Sequence, residues 1–166
     1  MTLTVEDGSL VSGADSYISL ADARSYCANR GIALSDDDSA AEIQLRRAFD
    51  YLELKRAYYK GTKVDPAQLT QWPRTGVVIE GAEIDTVTIP VELKYAQVQY
   101  AVAINSGLDL LPTASGDRFV TREKIGQIET EYSSSLATSG IPIVRIADQL
   151  LEPLLNTVGM LSVERA

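Results

Sequence analysis

The chain contains no histidine. A Ser-His-Asp triad, a Cys-His pair and histidine-ligated zinc are therefore unavailable within it. Its one cysteine, Cys27, has no second thiol for an internal disulfide and does not furnish a cysteine zinc site. Neither a GxxxxGK[ST] loop nor a GxGxxG turn occurs. No run approaches the roughly 18 apolar residues of a membrane span. The opening MTLTVEDGS lacks the basic and apolar regions of a signal peptide. Catalysis would have to come from carboxylates, lysines, tyrosines or one thiol. The expectation is no enzyme, no cofactor, no metal and no membrane, with synthesis in a reducing, intracellular compartment.

Positive charge is also short. Fifteen Lys and Arg face 23 Asp and Glu, for a net charge of −8. An acidic chain repels phosphate backbones at long range, which disfavours autonomous nucleic-acid binding. The charge is uneven, however. Residues 1–42 hold eight acids and two bases, whereas residues 43–63 hold six bases (Arg46, Arg47, Lys55, Arg56, Lys60, Lys63) and two acids. That basic stretch can face DNA or an acidic protein locally, or it can be a solvated face paired to acidic neighbours.

The 166 residues fit one domain, and the 45% apolar and 23% charged fractions are those of an ordinary soluble protein. Residues 19–31 read as a helix, with Ser19 and Asp22 as a short-armed capping box and Gly31 as the stop. Leu20, Ala23 and Cys27 share its apolar stripe, with Tyr26 beside it. Residues 36–61 read as the longest helix, opened by Asp36, Asp37 and Asp38 and ended by Gly61. The three aspartates lack the spaced ligands of a calcium loop, so capping is their expected role. Ala41, Leu45, Ala48, Phe49 and Leu52 recur at helical spacing there.

A loop over 62–76 leads to a weakly alternating segment, 77–89, read as a hairpin or extended arm turning at Glu80-Gly81. Pro90 is expected at the first helical position of a helix over 90–107, with Leu93, Ala96, Tyr100, Ala101 and Ile104 on one stripe and Gly107 as its stop. Residues 119–133 alternate as a strand or strand pair, and 133–140 read as a small, polar linker. A last helix is expected over 141–155, opened by Pro142, with Ile143, Ile146, Leu150 and Leu154 as its apolar face. The predicted class is mainly α (α+β): a helical body with a β-arm over 1–140, and a C-terminal helix with an extended tail over 141–166. The β pieces are too few for a stable sheet, and the tail is apolar with no helix to serve. Both features fit a chain completed by neighbouring copies.

Trp72 is the only tryptophan, and it sits in a loop, QWPRTG. Either the indole plugs the loop onto the core, with Arg74 bonding nearby carbonyls, or Trp72, Pro73 and Arg74 anchor a subunit interface.

VEDGSLVSGADSYISLADARSY at 5–26, AAEIQLRRAFDYLE at 40–53, QWPRTG at 71–76, IPVELKYAQVQYAV at 89–102, REKIGQIETEY at 122–132 and LLEPLL at 150–155 follow one another in an order that resembles the head–tail adaptors, or head-completion connectors, of tailed phages. Many members of that family carry the name DnaT-like single-stranded-DNA-binding protein. The resemblance implies a structural virion protein at the neck, made in the bacterial host cytoplasm. It implies a homo-oligomeric ring of twelve subunits beneath the portal protein, extending a DNA channel without specific binding and receiving a downstream neck, stopper or tail-completion protein. It also supplies a portal-docking role for the tail residues Val158, Met160, Leu161, Val163 and Arg165. The alternative is a single-stranded-DNA-binding replication accessory, using the basic stretch with Tyr58 and Tyr59 as stacking residues. Adjacent residues on a helix diverge by about 100°, which works against one flat platform.

Overall fold

A computed structural model of the chain describes residues 2–111 and 143–156, together with the backbone of 122–125 and 128–131. Four α-helices carry the fold: α1 (Leu20–Ala28), α2 (Asp38–Leu54), α3 (Val91–Asn105) and α4 (Arg145–Leu151). Three two-stranded antiparallel ladders accompany them. These pair β1 (Thr62–Lys63) with β2 (Arg74–Thr75), β3 (Val78–Ile79) with β4 (Ala82–Glu83), and β5 (Arg122–Ile125) with β6 (Ile128–Glu131). The class is α+β, as expected. Among the described residues no helix is long and apolar enough to cross a membrane.

α3 is the centre, packing on α1, α2 and α4. Its buried residues (Leu93, Ala96, Gln97, Val98, Tyr100 and Ala101) spread around most of its circumference, as a helix with neighbours on several sides requires. α2, which packs on it, buries Ala41, Leu45, Ala48, Phe49 and Leu52, the predicted stripe, with Tyr51 added. The caps also follow the sequence. Ser19 accepts from Asp22 N while its hydroxyl donates to the Asp22 carboxylate at 2.6 Å. Asp37 caps α2 by accepting from Ala40 N at 2.8 Å, so the aspartate run does serve a helix start. Glu80 and Gly81 both have positive φ, the conformation that a tight two-residue hairpin needs.

Four expectations are corrected. α2 ends at Leu54 and tightens into a 3₁₀ turn over Lys55–Ala57, well short of Gly61. Tertiary pairing overrides the helical pattern there. Lys60 N donates to Leu154 O at 2.9 Å, Asn156 N donates to Tyr58 O at 2.6 Å, and Tyr59 bridges Leu155 antiparallel. Gly61 instead allows close approach, since a Cβ would lie 2.2 Å from Thr75 O. Pro90 is the N-cap of α3, with extended backbone, and Val91 is the first helical residue. The stretch over 62–76 is a loop closed by the β1–β2 ladder.

The fourth correction concerns the last helix, which begins at Arg145 and buries Ala147, Leu151 and Leu154. Ile143 and Ile146 are 77% and 58% exposed. Two apolar sets about one residue apart fit the helical period here, and the set containing the small Ala147 allows close packing on α3. Tyr100 OH donates to Asp148 at 2.6 Å across that contact. Pro142, the 133–140 linker, Val120 and Tyr132 lie outside the described residues, and so does the whole predicted docking set Val158, Met160, Leu161, Val163 and Arg165.

The N-terminal segment wraps onto this body. The buried Glu6 carboxylate accepts from Gly8 N, Leu10 N and Val11 N at 2.8, 3.1 and 2.9 Å, which folds residues 6–11 into a tight loop. Gly8 has φ +107°, and a Cβ there would sit 1.7 Å from Val87 O. Gly8→Ala should therefore cost at least ~2 kcal/mol, as both the backbone strain and the overlap must be relieved. Urea denaturation measures this, and an unchanged midpoint would contradict the contact.

Candidate functional site: the Trp72 loop and the groove between α1 and α3

Trp72 is wholly buried and meets Tyr59 edge-on, with ring centroids 5.7 Å apart. The loop around it bonds itself. Thr70 Oγ1 donates to Trp72 O at 2.6 Å, and Gln68 Nε2 donates to the Thr70 and Pro73 carbonyls, each at 3.0 Å. Arg74, also buried, donates to Lys60 O at 2.7 Å, Gly61 O at 2.8 Å and Gln71 O at 3.2 Å. A planar fork of donors suits three carbonyls converging from the segment after α2 and from the loop itself. The indole and guanidinium thus pin the loop to its own chain. Indole Nε1 has no hydrogen-bond acceptor among the described residues.

A polar chain joins this loop to the helices. Tyr17 OH donates to Glu53 Oε1 and accepts from Trp72 N at 3.2 Å, and Gln71 N donates to Glu53 Oε2 at 2.9 Å. Burial raises the Glu53 carboxyl above its ordinary range, and the bonds from Tyr17 and Gln71 offset that only in part. Burial likewise pushes the Tyr17 and Tyr59 phenols far up, with the Glu53 charge adding to it, so both stay protonated.

The basic stretch does not form one face. Arg46 pairs with Asp15 at 2.5 Å and lies 3.8 Å from Glu42. Arg47 pairs with Asp109 at 2.9 Å. Lys55 lies 3.8 Å from Asp148 and 4.7 Å from the Tyr51 ring centroid. Lys63 Nζ donates to Gln68 O at 3.0 Å, Arg56 is exposed and Lys60 is half-buried. Tyr58 is 50% exposed but Tyr59 is buried, so the two tyrosines are not a shared stacking surface. No group of three or more potential metal ligands occurs among the described residues.

A second constellation went unread in the sequence. A groove of about 530 Å³ lies between α1 and the start of α3, with Tyr26, Arg30, Lys94 and Tyr95 in its lining. Tyr26 and Tyr95 pack with centroids 4.4 Å apart and planes tilted by 37°. The Arg30 guanidinium carbon sits 3.8 Å from the Tyr26 centroid and 5.3 Å from that of Tyr95. Among the described residues neither Arg30 nor Lys94 has an ion-pair partner within 4 Å. Three acids share the lining, and each is tied locally: Glu6 to the amides of Gly8, Leu10 and Val11, and Asp22 and Asp7 each to a serine. Asp22 accepts from Ser19 Oγ at 2.6 Å and Asp7 from Ser9 Oγ at 2.7 Å, the latter holding the Asp7 carboxyl below its usual range. Only the docking of α1 on α3 brings Tyr26 and Tyr95 together, so no local motif signals the pair.

The Glu53 shift has a testable sign. The folded protein holds that proton more tightly than the unfolded chain does, so ionisation destabilises the fold. The penalty is absent below both pKa values and sets in as pH rises through them. Glu53→Gln does not ionise. Its melting temperature relative to wild type should therefore rise from about pH 3.5 to about pH 7, where model carboxyls have passed through titration. A difference that stays flat or falls would contradict the burial of this carboxylate.

A family model described as "Putative DnaT-like ssDNA binding protein" matches residues 1–166. No curated protein and no solved structure matches the chain. The match spans the whole chain, which therefore belongs to the DnaT-like family of that description.

Proposed function

We propose that the chain is a structural virion protein of a tailed phage: a head–tail adaptor that joins a ring of about twelve copies to the portal and receives a neck or tail-completion protein. The reading begins from the ordered sequence blocks of the resemblance. The observation that carries it further is how the chain spends its cations. Arg46, Arg47 and Lys55 are committed to Asp15, Asp109 and Asp148, so half of the cations in the stretch best suited to hold DNA are paired from within. Meanwhile Ile143, just before α4, and Ile146 on it stay exposed. An acidic subunit with weak phosphate contacts and spare apolar surface suits a wall through which DNA must slide. In this reading the protein does no catalysis, sits at the neck of the virion and takes its partners through protein contacts.

The tail is the segment assigned to the portal. The residue that precedes it, Asn156, is anchored by a bond from its N to Tyr58 O and by a 3.1 Å bond from its Nδ2 to Tyr59 O. Deleting 157–166 keeps that anchor. The truncated protein is expected to retain its helical circular dichroism and melting temperature but to fail to add mass to the portal. Normal joining to the portal would rule out the tail as the docking element.

The family description favours a second reading, single-stranded-DNA binding. Its stacking surface would not be Tyr58 with Tyr59, because Tyr59 is buried.

A further inference from the structure

We infer that the groove between α1 and α3 is a single-stranded-DNA contact site, with a base stacked on Arg30 and Tyr95 and the adjoining phosphate at Lys94. This rests on the single-strand-binding reading and gives it a place other than the basic stretch. A volume of about 530 Å³ lies within the usual range for small-ligand pockets, and so can take a nucleotide-sized group. Unstacked bases are held on aromatic faces and on guanidinium planes. Here the two are assembled in advance. Arg30 lies against Tyr26 and near Tyr95, and the residue is exposed, so part of the guanidinium is open to a ligand. Tyr95 is half-buried, and Lys94 beside it has no acid within 4 Å among the described residues, although its charge reaches the Asp7 carboxyl across the groove. The 43–63 stretch offers the opposite arrangement, with three cations already paired and two of its three tyrosines, Tyr51 and Tyr59, inside the core.

A duplex would not use this site, since its bases are stacked away from side chains. The acids Glu6, Asp7 and Asp22 at the same groove oppose phosphate, and a single phosphate contact releases few counterions, which predicts weak binding with a shallow salt dependence.

The test uses the full chain and a fluorescein-labelled oligo-dT of about ten nucleotides, within the length that single-strand-binding folds cover, followed by anisotropy at low and moderate salt. Wild type is compared with Arg30→Ala/Lys94→Ala and with Arg56→Ala/Lys63→Ala, each checked for folding by circular dichroism. The groove pair should lose at least ~10-fold in affinity and flatten the salt slope by about one, while the other pair should stay within about threefold of wild type. If wild type binds and only the Arg56/Lys63 pair weakens it, the groove assignment is overturned and the single-strand reading stands with its site elsewhere. If wild type does not bind at low salt, both fall. If wild type ignores DNA yet the groove pair loses a protein partner that wild type holds, the groove is a protein contact and the assignment is likewise overturned.

Discussion

Gln97 carries a primary amide into the middle of the protein, and the rest of the structure is organised by what that amide holds. Its Oε1 accepts from Tyr17 N at 2.9 Å, and its Nε2 donates to Ser16 Oγ and Leu45 O, each at 2.9 Å. One side chain on α3 thus fixes the N-terminal segment and α2 together. A buried amide with all its partners in place is a strong positional constraint, because each lost bond leaves an unpaired polar group. Tyr17, placed this way, extends its phenol to Glu53 and to Trp72 N. The 62–76 loop then closes over Tyr59 and Arg74. The order of dependence runs from Gln97 to Tyr17, to Glu53, to the tryptophan loop.

Charge blocks in the sequence become pairs in space. Acids from the N-terminal third meet bases from α1 and α2, as in Asp15 with Arg46 and Asp38 with Arg24 at 2.6 Å. More distant acids, Asp109 and Asp148, take Arg47 and Lys55. The positive balance of 43–63 therefore does not become a positive face. Such pairs contribute little stability individually when exposed. Their consequence here is that fewer charges remain for a partner. The cations with no acid within 4 Å among the described residues include Arg30 and Lys94, which no count along the chain separates from the rest.

Helix starts and buried stripes were legible because they depend on residues within one turn of each other. Ser19 with Asp22, Asp37 before α2, and the Ala41-to-Leu52 stripe all follow from local spacing. Trp72 was half legible. A lone aromatic between glutamine and proline demanded an explanation, but core plug and interface anchor make the same sequence pattern, and only the buried position favours the first. The end of α2 was not legible, since residues 154–156 capture the backbone of 58–60 from almost a hundred residues away. The last helix's face was half misread: Leu154 is buried and Leu150 packs against the core, but Ile143 and Ile146 are exposed, because two apolar sets fit its period. The Tyr26–Tyr95 pair needed the packing of two helices to exist at all.

Hydrogen exchange at three amides tests the central dependence most directly. Tyr17 N–H, Gln71 N–H and Trp72 N–H all lie outside the helices, yet each is bonded to the side chain of a buried or half-buried residue. If the loop is fixed through Gln97, Tyr17 and Glu53, these amides should exchange about as slowly as those in the middle of α3, at rates set by global unfolding. Fast exchange at all three, with α2 and α3 still protected, would mean that the tryptophan loop opens independently and that the chain of bonds does not govern the fold.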